Sequence, residues 1–249
     1  MSVRLLGKYS YALALSLWLV ASFIIGQSLA SLIIFHLPIN ANETVVTTIL
    51  AALGYVLALL FAIIGPALLN RRITPRSVLG IDRLPSWSDI GLGITALLPY
   101  FVLSAVILYL GMEVFTIIDP DVGQDIPFKN LNLRIEYLVA FVTLVIMAPL
   151  AEELLFRGYY LGKLGKKIGR WLAVFVSALL FGFMHLIAPT ESGIVLQWGA
   201  AADTFALGVT VGILRALTKS IWAGVILHAI KNGIAYYFLF INPSPPTGM

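Results

Sequence analysis

Along the chain, apolar residues gather into long blocks separated by short polar stretches. A helix that crosses a bilayer needs about 20 mostly apolar residues. Seven blocks are of this kind: Tyr11–Phe35, Val45–Leu69, Ile90–Met112, Tyr137–Phe156, Trp171–Ala188, Val195–Leu217 and Ile221–Phe240. Several contain glycine, which spanning helices tolerate better than soluble ones. The first block follows Arg4 and Lys8, as a signal peptide would. It is too long for a cleaved apolar region of roughly 7–15 residues, so it reads as a retained helix. The pattern predicts an all-α, polytopic membrane bundle of about seven helices, with six to eight as the bracket. The Pro-rich tail after Phe240 predicts a frayed end. No internal repeat is visible.

Composition agrees with this pattern. The 249 residues are 60% hydrophobic and 11% charged, against roughly 25% charged in a soluble domain. Disorder, a collagen-like fibre and a disulfide-stapled scaffold are excluded. With no cysteine, thiol nucleophiles and thiolate ligands are excluded as well. The formal charge of +4 reflects loops facing the cytoplasm and implies no nucleic-acid partner. With the N-terminus in the cytoplasm, 13 of the 16 basic residues fall on the inner side, among them Arg71, Arg72, Lys163 and Arg170. Glu43, Glu113, Asp119, Asp121, Asp125, Glu136 and Glu191 fall outside, and only Lys129 and Arg134 join them. The positive-inside rule therefore predicts an N-in, multi-pass integral membrane protein. The sequon Asn42-Glu43-Thr44 lies in an outer loop and reads as chance.

Ionisable groups inside a bilayer cost about 2.5–3.5 kcal/mol each, so they mark candidate function. The first three blocks contain essentially none. The last four contain Glu152, Glu153, His185, Asp203, His228 and Lys231, with Arg157 at a helix end. Residues 1–130 therefore read as a scaffold of about three helices, and 131–249 as a catalytic core of about four. Glu153 and Arg157 stand four apart, on one face, and can pair. Glu152 is turned about 100° away and is left uncompensated, as a general base would be. His228 and Asn232 share a face one turn apart and can offer hydrogen-bond donors to an oxyanion. Phe205, Gly208 and Gly212 share another face, where the glycines read as close helix packing. Each feature alone has a structural explanation; four in one half of one chain favour chemistry.

Glu152-Glu153-x-x-x-Arg157, Phe181-x-x-x-His185, Phe205-x-x-Gly208 and His228-x-x-x-Asn232 resemble, in order, the motif set of the CAAX-protease and bacteriocin-processing (CPBP, or Abi) family of intramembrane proteases, of which the Rce1 endopeptidases are a branch. The resemblance covers about residues 137–240. Thr218-Lys-Ser-Ile-Trp222, before His228, resembles the family's usual lead-in, with Lys219 where glycine is common. The resemblance implies an all-α fold and hydrolysis of a peptide bond in a membrane-associated substrate, prenylated or bacteriocin- or pheromone-like. It implies Glu152 as base, His185 as water holder, His228 and Asn232 as oxyanion donors, and Glu153 and Arg157 as their supports. Two histidines and a glutamate could instead hold zinc through Glu152, His185 and His228. There is no HExxH, and such a site would leave no separate base, so the metal-free reading is favoured. A transporter, which commonly shows repeats, and a non-catalytic immunity or binding protein are the competing classes.

Depth poses one difficulty. At 1.5 Å per residue, His228 lies about 12 Å and His185 about 24 Å from the cytoplasmic ends of their helices. Continuation of the fourth helix past Arg157 to Leu164 would sink Glu152 deeper. The same arithmetic places Asp203 and Lys231 at one depth on neighbouring helices, which predicts an ion pair beside the site.

Overall fold

A computed structural model describes residues 3–37, 43–70, 73–120, 122, 128, 131–190 and 193–242. The chain runs through α1 (Val3–His36), α2 (Thr44–Leu68), a short α3 (Arg76–Leu79), α4 (Trp87–Val114), α5 (Arg134–Ile168) and α6 (Arg170–Met184). A hairpin of β1 (Ile187–Thr190) and β2 (Gly193–Leu196) follows, then α7 (Trp198–Thr218) and α8 (Trp222–Ile241). Among the described residues, six helices are long and apolar enough to cross a membrane, and α6 is a shorter apolar helix. The chain is an all-α, multi-pass integral membrane protein. Arg71, Arg72, Asp121, Asp125, Lys129, Glu191, Asn42 and the last residues of the tail lie outside the described residues.

The hairpin corrects the expected boundaries. Trp171–Ala188 and Val195–Leu217 were to be adjacent spans; instead α6 ends at Met184 and α7 begins at Trp198. Pro189 is the physical reason. It has no N–H to donate and pushes Ala188 out of the helical region. The apolar residues on either side then pair as antiparallel strands, Ile187 with Leu196 and Thr190 with Gly193. At 15 residues, α6 is about 22 Å long, short of the roughly 30 Å hydrocarbon core. By itself α6 is thus too short to cross that core.

The fourth helix runs past Leu164 to Ile168. It reverses into α6 through Gly169, whose φ of +91° suits a residue without a Cβ. Counting outward from this turn, Glu152 is 16 residues back from Ile168 and His185 is 15 residues on from Arg170. Glu152 and His185 thus arrive at nearly the same level. Within α5, wide π-type turns at Val142–Met147 and Leu154–Tyr160 flank the α-helical stretch Ala148–Glu153. Pro149 sits at the start of that stretch, inside the continuous helix, where its missing N–H interrupts the hydrogen-bond ladder. Such wide turns frequently accompany functional sites.

Small residues let the helices approach. A Cβ on Gly182 would meet the Ala201 carbonyl oxygen at 2.8 Å, one on Gly208 the Ala178 Cα at 2.9 Å, and one on Gly212 the Val174 Cγ1 at 2.9 Å. These three contacts run the length of the α6–α7 seam. Gly93 does the same for α4 against the Ala223 carbonyl of α8, at 3.0 Å. The buried core, with Leu155, Phe156, Phe181, Leu207, Val211 and Leu227, forms where α5 to α8 converge.

Candidate active site

Glu153 and Arg157 are fully buried. Arg157 Nη1 lies 3.2 Å from Glu153 Oε1. The guanidinium carbon also sits 4.2 Å from the Phe181 ring centroid and 5.8 Å from that of Phe156. Its nitrogens have no hydrogen-bond partner among the described residues. The cation is therefore held by one carboxylate and by ring faces, whose quadrupole attracts positive charge. Gly208 makes the space for it, since a Cβ there would stand 3.2 Å from Arg157 Nη2. The Phe181 and Gly208 motifs thus converge on Arg157.

The same Glu153 oxygen lies 3.1 Å from His228 Nδ1. A carboxylate facing an arginine is an acceptor only, so Nδ1 carries the proton and donates it. Nε2 of the neutral ring is then left with its lone pair, 3.8 Å from Glu152 Oε2. His185 is fixed in the same way. Its Nδ1 donates to the Phe181 carbonyl at 2.8 Å, because a carbonyl can only accept. Both imidazoles present Nε2. With Nδ1 donating to Glu153, His228 can donate from Nε2 only as an imidazolium.

Glu152 lies away from the Arg157 pair. Its Oε1 accepts a 2.6 Å hydrogen bond from the Tyr55 hydroxyl of α2. Asn232 donates from Nδ2 to the Leu144 carbonyl at 2.8 Å, tying α8 to α5. One N–H of its amide remains. A cavity of about 230 Å³ brings together Tyr55, Glu152, His185, His228, Lys231 and Asn232. A larger, apolar cavity of about 540 Å³ shares no lining residue with it.

Beside the histidines, Lys231 Nζ lies 3.1 Å from Asp203 Oδ2. Asp203 Oδ1 accepts from the Tyr100 and Ser104 hydroxyls of α4, each at 2.6 Å. Tyr55, Tyr100 and Ser104 come from the segment read as scaffold and were not anticipated. The available signal was a hydroxyl deep inside an otherwise apolar block. Glu152, His185 and His228 leave two Nε2 lone pairs and a carboxylate, which are zinc-type donors. Among the described residues, no three His, Asp or Glu side chains are grouped closely enough to hold a metal ion.

No curated protein and no solved structure matches the chain. A family model does match residues 134–234, the region that carries every motif residue named above: the Rce1-like, type II CAAX prenyl endopeptidase family. With its six candidate membrane spans the chain is a multi-pass membrane protein, and over residues 134–234 it is similar to the Rce1-like family of CAAX endopeptidases.

Proposed function

We propose that the chain is an intramembrane endopeptidase that hydrolyses a peptide bond of a membrane-associated, CAAX-type substrate with a water activated by Glu152. One observation carries this reading. Of two adjacent carboxylates, Glu153 is engaged by Arg157 and His228, while Glu152 faces the cavity with a single hydroxyl donor. A general base needs a carboxylate that is held in place yet not neutralised by a cation.

In this mechanism, a water between Glu152 and His185 gives a proton to Glu152 and attacks the scissile carbonyl carbon. His185 Nε2 accepts the water's other hydrogen and so orients it. The carbonyl π electrons move to oxygen. The remaining Asn232 N–H donates to the oxyanion, as does His228 from Nε2 once solvent has supplied the second proton of its imidazolium form. Glu152 then returns its proton to the departing amine as the C–N bond breaks. Glu153 and Arg157 hold His228 in register. No step uses a metal.

The test is cleavage of a quenched-fluorescent farnesylated CAAX peptide by purified protein in detergent. Wild type and Glu152→Gln are compared, with and without a strong zinc chelator. Cleavage by wild type alone, unchanged by chelator, is the expected result. Activity lost to chelator and restored by zinc would overturn the water mechanism and favour zinc on Glu152, His185 and His228. No cleavage of this peptide by wild type would reject it as the substrate.

A further inference from the structure

Lys231 carries a charge that the proposed chemistry does not use. It lies between His228 and Asn232 in sequence and lines the same cavity. On a helix, positions 231 and 232 fall about 60° and 40° to either side of 228, so all three residues share one face. Lys231 contributes the only ammonium or guanidinium among the cavity's described lining residues.

Its surroundings hold it there. Asp203 anchors Nζ through Oδ2 at 3.1 Å. Tyr100 and Ser104 occupy Oδ1, so Asp203 has three donors from two other helices and a fixed orientation. The hydroxyl dipoles offset part of the carboxylate's charge. An ammonium has three donors, and Asp203 is the partner of one. Among the described residues, no second acceptor meets Nζ. The side chains of the pair remain about one-fifth exposed, at 18% for Lys231 and 23% for Asp203. A strut that only tied α7 to α8 would have no need to line a cavity with its spare donors. The other permanently charged group among the cavity's described lining residues, Glu152, is an anion, so Lys231 is the permanent cation that a ligand anion meets there.

From this arrangement we infer that Lys231 binds a carboxylate of the substrate peptide and selects for it, with Asp203, Tyr100 and Ser104 acting as its positioning residues. The inference rests on the peptidase reading for the identity of the ligand. Along the helix axis, Lys231 is about 4.5 Å from His228. An extended peptide rises about 3.4 Å per residue. Allowing for the length of the lysine side chain, the carboxylate lies within a few residues of the scissile bond. Either the free C-terminus of the peptide or an acidic residue near the cleaved bond can supply it.

Binding separates this inference from the catalytic one. The probe is a fluorescent farnesylated CAAX heptapeptide, titrated into Glu152→Gln protein and into Glu152→Gln/Lys231→Gln protein. It is prepared as free acid, as C-terminal amide, and as amide with an aspartate in the last position. The expected result is binding of the free acid about ten-fold or more tighter than the amide to the lysine-containing protein, the range of a charge-assisted hydrogen bond. That preference falls to about two-fold or less without Lys231, and Lys231→Arg restores it. Recovery of affinity by the aspartate amide assigns the site to the carboxylates of acidic residues; no recovery assigns it to the C-terminus. Equal affinity for acid and amide, an unchanged preference in the Lys231→Gln protein, or no binding of any peptide would overturn the inference. Because turnover is not read, failure of the wild-type protein to cleave this peptide would leave this result intact. Melting temperatures of the variants identify any loss that comes from unfolding.

Discussion

The Tyr55 hydroxyl donates to Glu152 Oε1 at 2.6 Å, joining a helix from the segment read as scaffold to the carboxylate that faces the cavity. This bond fixes one oxygen of Glu152 and leaves Oε2 directed toward His228. A base that must take a proton from water in one geometry benefits from such restraint.

Tyr55→Phe should therefore lower kcat about ten-fold or more with a smaller change in KM, the loss of a hydrogen bond to a charged group being worth about 1.5–3 kcal/mol. Steady-state cleavage of the peptide by wild type and variant gives both constants. The Phe23 ring, 6.1 Å from that of Tyr55, still packs against phenylalanine, so the melting temperature should move little. Equal losses in melting temperature and activity would make the bond structural.

Arg157 and Glu153 should behave as a unit. Arg157→Met leaves a buried carboxylate without its cation, a change that typically costs about 3–5 kcal/mol. The double variant Glu153→Gln/Arg157→Met removes both charges and should recover much of that stability. It should not recover activity, because His228 Nδ1 then donates to a neutral amide. Thermal unfolding in detergent, alongside cleavage, separates the two effects. Additive losses in stability would show that the residues do not depend on each other.

These relationships were unequally legible in the sequence. A bilayer demands about 20 apolar residues per crossing, so spans are read directly from composition. Glu152, His185, Asp203 and Lys231 stood out because an ionisable group is expensive in that setting. The hairpin was hidden because Ile187, Ala188, Val195 and Leu196 are as apolar as the helices they adjoin; only Pro189 and Gly193 mark the break. Tyr55, Tyr100 and Ser104 were hidden for another reason. Hydroxyls cost little in a spanning helix, and their partners Glu152 and Asp203 lie about 100 residues away in sequence. The histidine tautomers depend on which acceptor meets each Nδ1, which no spacing rule supplies.

Lys219 offers a stabilising change. It caps α7 with φ +59°, the left-handed region, its N–H bonded to the Arg215 carbonyl at 3.0 Å. A side chain is strained there and glycine is not. Lys219 is exposed and is not among the residues lining the cavity, so Lys219→Gly should raise the melting temperature, by up to about 1 kcal/mol in stability, without changing cleavage. A lower melting temperature would mean that the lysine makes a compensating contact.

Gly208 tests whether the α6–α7 seam and the buried cation are one device. A methyl group on Gly208 would meet Ala178 Cα at 2.9 Å and Cβ at 3.1 Å on one side, and Arg157 Nη2 at 3.2 Å on the other. The backbone contact cannot yield without parting the helices. The guanidinium cannot yield without leaving Glu153 or the Phe181 ring. Gly208→Ala should thus cost about 1–3 kcal/mol, as overpacking does, and should reduce activity more than its loss of stability explains, because Glu153 also orients His228. Gly199→Ala is the control: its Cβ would meet only Ile118 Cγ2 at 3.6 Å, an ordinary contact, and on the same helix it should leave both stability and cleavage near wild type. If Gly208→Ala unfolds the protein no more readily than Gly199→Ala and cleaves as well, then α6 and α7 are not held at this separation. The placement of Arg157 against them would then play no part in catalysis.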